Sequence, residues 1–238
     1  MKPLKKEDIN QDVFDLYDDY AHNKIDRRHF IEKLSLYAIG GITVSSLLSF
    51  ITPNYMDSIL VKPNDERLDS EYITYESPKG GGNIKGLLSK PDGAKGKLPG
   101  IVVVHENRGL NPYIEDVGRR AALEGFITLA PDALSPLGGY PGNDDEGRAL
   151  QRKRDRNEML EDFIAAYHYL MSHDHCNGNI GVVGFYETAL KANHIEYTAH
   201  FYEDVNHGFH NNTTPRYDEK AATLAWDRTI AFFREKLK

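Results

Sequence analysis

The run Pro99–His105 (PGIVVVH) is apolar through consecutive residues, and Phe126–Ala130 repeats the pattern. A strand with one wet face alternates apolar and polar side chains. One that is apolar throughout must be covered on both faces, as in the interior of a parallel sheet. Such a sheet needs crossovers long enough to hold helices, and the chain supplies them. Pro112–Glu124 reads as a helix. Gly147–Ser172 reads as one long helix with Leu160, Phe163, Ile164, Tyr167, Leu170 and Met171 on one stripe. Asn179–Phe185 is a further buried strand, Glu187–Asn193 a short helix and Glu196–Glu203 a strand. Tyr217–Leu237 closes the chain as a helix with Trp226, Ile230, Phe233 and Leu237 facing inward. Ahead of these, Glu71–Ser77 and Ile84–Lys90 are strands flanking Lys79–Asn83 (KGGGN). That glycine run is a turn and not a phosphate cradle, because a P-loop leads into a helix and carries Gly-Lys-Ser/Thr. The alternation predicts an α/β domain over residues 71–238, with a mainly parallel sheet and flanking helices.

The rest of the chain is an appendage. Ile9, Val13, Leu16, Tyr17 and Tyr20 recur at helical spacing and predict a short amphipathic helix. Arg27-Arg28 follows, then Phe30, and Leu34–Ile51 holds no charged residue. This combination resembles a twin-arginine export signal, which places the protein in the periplasm or at the inner membrane. Uncut, residues 34–51 are just long enough to associate with a membrane. The alternative is an N-terminal helix packed on the domain or on another copy, in a cytoplasmic protein. Residues 1–53 are thus expected as a helical extension and 54–70 as a polar linker.

Composition removes several functions. The net charge of −7 with scattered Lys and Arg gives no basic face for nucleic acid. The single cysteine, Cys176, forbids an intrachain disulfide and a thiolate zinc site. His173, Asp174 and His175 are neighbours in sequence and point in different directions, so they make no metal site. No cofactor and no metal are expected.

Catalytic groups in open α/β sheets collect at the carboxyl ends of strands. Three pieces end there: His105-Glu106-Asn107-Arg108-Gly109, Gly181-Val182-Val183-Gly184-Phe185, and Tyr202 to Phe209 with His207 in its loop. A nucleophile elbow would follow Gly184-Phe185 as Gly-x-Ser/Cys-x-Gly, whose glycines give room at a strained strand-to-helix turn. The chain instead reads Tyr186-Glu187-Thr188-Ala189. A phenol titrates near 10 and does not replace a thiolate at neutral pH.

Together with Ala130-Pro131-Asp132, these pieces resemble the dienelactone hydrolase family of α/β-hydrolases over about Tyr72–Lys238. The resemblance implies a Cys-His-Asp triad in which His207 takes the place of the base. Glu106 takes the place of the glutamate near the nucleophile, and the backbone N–H near Asn107 supplies half of the oxyanion hole. Nothing matches the cysteine or the aspartate, and Asn211 stands near a point where the family tends to place a substrate-gripping arginine. The chain passes from Phe185 to what resembles the helix before the last strand, as though an internal deletion had removed the elbow and the aspartate loop. The expectation is a reduced α/β-hydrolase-like domain whose lineage is hydrolysis of small carboxylic esters or lactones and whose own activity is impaired or lost. The alternative is a remnant that binds a small molecule or a protein partner without chemistry.

Overall fold

The computed structural model describes residues 4–55, 58–184 and 200–238. The chain divides into two compact units, residues 1–58 with 200–227, and residues 59–199 with 228–238. The helices are α1 (Gln11–Ala21), α2 (Arg27–Ser35), α3 (Val44–Ile51), α4 (Pro112–Leu123), α5 (Asp144–Gln151), α6 (Arg156–Met171) and α7 (Glu219–Lys236). The strands are β1 (Leu68–Ser77), β2 (Gly82–Pro91), β3 (Leu98–Val103), β4 (Ile127–Pro131) and β5 (Cys176–Val183).

The second unit is built on a sheet of order β1-β2-β4-β3-β5. Strands β4, β3 and β5 run parallel, while β2 joins β4 and β1 joins β2 antiparallel. This is the expected α/β architecture, a mixed sheet with helices on both faces. The reason for the unbroken apolar runs is visible in β4. Ile127 and Leu129 pack with Val102, Ala166 and Leu170 toward α6. Thr128, between them, turns its hydroxyl to the Gly118 carbonyl of α4 at 3.0 Å. Alternate residues therefore meet different helices, and both sets have to be dehydrated.

Three sequence expectations change. The helix expected over Gly147–Ser172 is two helices, α5 and α6, interrupted at residues 152–155. Asp155 starts a new helix by accepting from the Asn157 and Glu158 N–H groups, and Arg154 turns inward to pair with the fully buried Asp162. The inward face of α6 is Asp162, Ala166 and Leu170, while Leu160 and Met171 are exposed. Asp162 also accepts from the Gly81 N–H at 2.7 Å, docking the β1–β2 turn on α6. A Cβ on Gly80 would stand 2.2 Å from Asp162 Oδ1 and 2.6 Å from the Glu158 carbonyl, so the glycine run exists to let this turn press on the helix.

The expected linker is shorter and less free than its polarity suggests. β1 already begins at Leu68, and Val61 is buried. The Val61 N–H donates to Asp116 at 2.7 Å and its carbonyl accepts from Arg119 Nε at 2.8 Å, so α4 grips the backbone on both sides. Of the strand expected over 196–203, residues 200–203 carry no strand, and 196–199 lie outside the described residues. The expected helix 187–193 and Tyr186 also lie outside them.

In the first unit α1, α2 and α3 close around Val13, Phe14, Tyr17, Tyr20, Phe30, Leu34, Leu47 and Ile51. Tyr20 and Phe30 stack with ring centroids 4.5 Å apart. The uncharged stretch 34–51 is not one helix. A turn with Gly40 and Gly41 at positive φ separates the end of α2 from α3. Among the described residues no helix is long and apolar enough to cross a membrane.

Candidate active site

The loop from β3 to α4 is tied down from several directions. His105 is buried at its start. Its Nε2 receives the Ala133 N–H at 3.1 Å, and its Nδ1 lies 2.6 Å from the Glu106 carbonyl. One nitrogen must accept and the other donate, so the imidazole is neutral with its proton on Nδ1. Burial holds its pKa below the usual histidine range. The Phe163 ring closes on it edge-to-face at 5.5 Å.

Asp132, one residue beyond β4, is the second tie. Its carboxylate accepts from the backbone N–H groups of Leu110 at 3.3 Å, Leu134 at 3.0 Å and Tyr140 at 2.8 Å. One side chain thereby joins the β3–α4 loop to the β4–α5 connection. Gly109, at φ +83, leaves no space for a side chain there, since a Cβ would stand 2.5 Å from Leu134. The third tie is the pair Arg108–Asp144 at 2.7 Å, both side chains largely buried, with the Tyr140 hydroxyl on the same aspartate at 3.0 Å. Gly147 in α5 lets that helix approach the loop, because a Cβ would meet the Arg108 carbonyl at 2.3 Å. Asn111 then caps α4 by accepting from the Ile114 N–H, with Pro112 in the first turn. Glu106 itself is exposed on this loop.

His207 is described in the other unit. It is exposed on the loop that follows Tyr202, and its ring meets His22, at the end of α1, edge-on at 4.9 Å. His22 Nδ1 bonds the Asp18 carbonyl at 2.8 Å. The Asp18 carboxylate pairs with Arg216, whose guanidinium also lies over the Tyr17 ring at 5.1 Å. Asn206 meets Gln11. Asn211 spends its side-chain oxygen on the Thr213 N–H and hydroxyl, closing a local turn. Glu106 and His207 fall in different units, so their convergence on one site rests on the family resemblance and is a proposal.

Strand β5 supplies the third piece. Val183 is the register partner of Val103, so β5 ends beside the loop of His105. Cys176 opens β5 at the opposite end, buried and paired in register with Leu98. Its thiol therefore lies at the other edge of the sheet from the His105 loop. Among the described residues no group of three or more His, Cys, Asp or Glu converges as metal ligands. Sequence reasoning noted His105 and Asp132 only as parts of motifs. The available signal was an Asp directly after an apolar strand and Pro131, a residue type that collects backbone N–H groups at turns.

The arrangement is that of α/β-hydrolases, and a solved structure shows the likeness. A dienelactone hydrolase-like promiscuous phosphotriesterase from metagenomic libraries superposes with a TM-score of 0.58 at 15% identity, over 72% of this chain and all of that one. At that identity the likeness concerns the fold alone. Residues 84–186 and 186–237 match the model of the dienelactone hydrolase family, to which the chain belongs. Residues 1–39 match a separate family described as YqhI-like. Among curated relatives, "Putative hydrolase fragment YghX" of Escherichia coli (strain K12) is 55% identical over 114 residues, 48% of this chain and 97% of that protein. The carboxymethylenebutenolidase of a Pseudomonas sp. is 33% identical over 114 residues, 45% of this chain and 47% of the enzyme. The matched stretch thus spans about half the length of that relative.

Proposed function

We propose that this chain is a dienelactone hydrolase family member in which an internal deletion has removed the nucleophile and the triad aspartate, so that acyl transfer is lost. The observation that carries the reading is the break in the family match: its two stretches meet at residue 186, the position where the family nucleophile is due and Tyr186 stands. The lineage is hydrolysis of small carboxylic esters or lactones, the chemistry that the name carboxymethylenebutenolidase carries for a relative. A triad base needs a nucleophile to deprotonate and a carboxylate to orient its other nitrogen. In this reading His207 has neither from the family's positions. The intact β3–α4 loop favours a domain that keeps a shaped site and binds a carbonyl or carboxylate compound without turning it over. Labelling with a thiol- or hydroxyl-directed activity probe tests this. No adduct should form at a single site, and a stoichiometric, His207-dependent adduct refutes the deletion reading.

We propose separately that Arg27 and Arg28 serve export, the reading their spacing from Phe30 and the uncharged stretch supports. Because Phe30 and Leu34 are buried in the helix cluster, this requires the segment to be read before it folds. Replacing both arginines by lysine should hold the protein in the cytoplasm. An unchanged distribution would leave the packed-helix role.

A further inference from the structure

We infer that His105 is a positioning residue that sets the direction of the Glu106–Asn107 peptide, and with it the family's oxyanion donor. The inference rests on the reading of this loop as the oxyanion arm, not on whether the chain is active. His105 closes two hydrogen bonds that belong to different parts of the chain. On one side the Ala133 N–H donates to Nε2, anchoring the ring to the segment after β4. On the other, Nδ1–H donates to the carbonyl of Glu106. That carbonyl and the Asn107 N–H are the two ends of one peptide unit. The structure contains no cis peptide among the described residues, and a planar trans peptide points its C=O and N–H in opposite directions. Holding the Glu106 carbonyl against the imidazole therefore turns the Asn107 N–H away from His105.

The geometry needs one tautomer. With the proton on Nε2, the ring would set an N–H against the Ala133 N–H and leave Nδ1 without a proton for Glu106. A doubly protonated ring still donates to Glu106 but loses the acceptor that anchors it, so the peptide is left tied to an unanchored ring. The charged groups acting on the imidazole are Asp132, after β4, and Glu106 on its own loop; both favour the proton, and burial opposes them and dominates. From α6 the neighbour is the uncharged Phe163 ring. The arm is therefore set at neutral pH and released in acid, through a residue that need not touch a substrate.

The test uses the full chain labelled with nitrogen-15, followed by NMR across pH 7 to 4. The expected result is a neutral His105 with its proton on Nδ1 at pH 7, still neutral below pH 6.5. The Asn107 and Ala133 amide signals should then move together with its protonation. A protonated Nε2 at pH 7, or a His105 titration that leaves the Asn107 amide in place, overturns the inference without any variant. His105→Gln supplies an amide that can donate to the Glu106 carbonyl. It should keep the Asn107 amide near its wild-type shift and abolish the pH response, whereas His105→Ala should displace it. An Asn107 amide unmoved in His105→Ala also overturns the inference. Ester turnover found alongside the Nδ1 tautomer would refute the proposed loss of function and leave this inference standing.

Discussion

The carboxyl ends of β3 and β5 are neighbours, with Val103 and Val183 in register, yet they are built differently. Beyond Val103 the chain enters a loop held by His105, by the three backbone N–H groups on Asp132 and by the buried Arg108–Asp144 pair. Toward the end of β5 Val182 is 56% exposed and Gly184 is exposed too. Among the described residues these hydrogen-bonded ties come from residues 105–147, contributed by consecutive elements of the chain. On the proposed reading, that is why one half of a catalytic site keeps its shape while the other is gone: polar networks closed within a contiguous segment do not depend on distant partners.

The largest expected effect lies on the pinned side. Asp132→Ala leaves three backbone donors without their acceptor and should cost roughly 3–5 kcal/mol in urea unfolding. A loss below about 1 kcal/mol would mean that the loop is not held as described. Next comes pH. Burial places the folded pKa of His105 below its unfolded value near 6.5, so in that window the unfolded chain binds a proton that the folded chain refuses. Stability should be flat in this group above about pH 6.5 and fall as pH drops toward the folded pKa, by up to ~1.4 kcal/mol per unit. His105→Gln should remove that share of the slope; an identical slope in the variant would assign it to other groups. The smallest effect belongs to β5. Val182→Lys, at an exposed strand position, should cost less than about 1 kcal/mol. A larger loss would show that this face of β5 is covered and that the contrast between the two strand ends is false.

How much of this was legible in sequence follows the same division. The apolar runs at 99–105 and 126–130 required a doubly covered sheet, and β3 and β4 lie within two residues of the expected ends. The break between α5 and α6 was hidden because residues 152–155 continue a helical composition; only tertiary contact shows that Arg154 turns in to meet Asp162. The clamp on Val61 was equally hidden, since Asp116 and Arg119 read as an ordinary polar helix face. Glu106 and His207 stand out in the sequence only through the family resemblance, and His105 only as the letter before Glu106. Its role depends on Ala133, 28 residues away, and no local pattern reports such a contact.

The central claim is that no nucleophile stands where the family needs one. The most direct measurement is hydrolysis of p-nitrophenyl acetate by the purified full chain, beside His207→Ala and Cys176→Ala. Loss of the nucleophile leaves at most binding and oxyanion contacts, about 10³–10⁴ over water in a triad enzyme, and each missing oxyanion donor removes about a further 10²–10³. The account predicts rates at the buffer background for all three proteins. Saturable hydrolysis that falls about 100-fold or more in His207→Ala would contradict it and show that another residue has taken over as nucleophile.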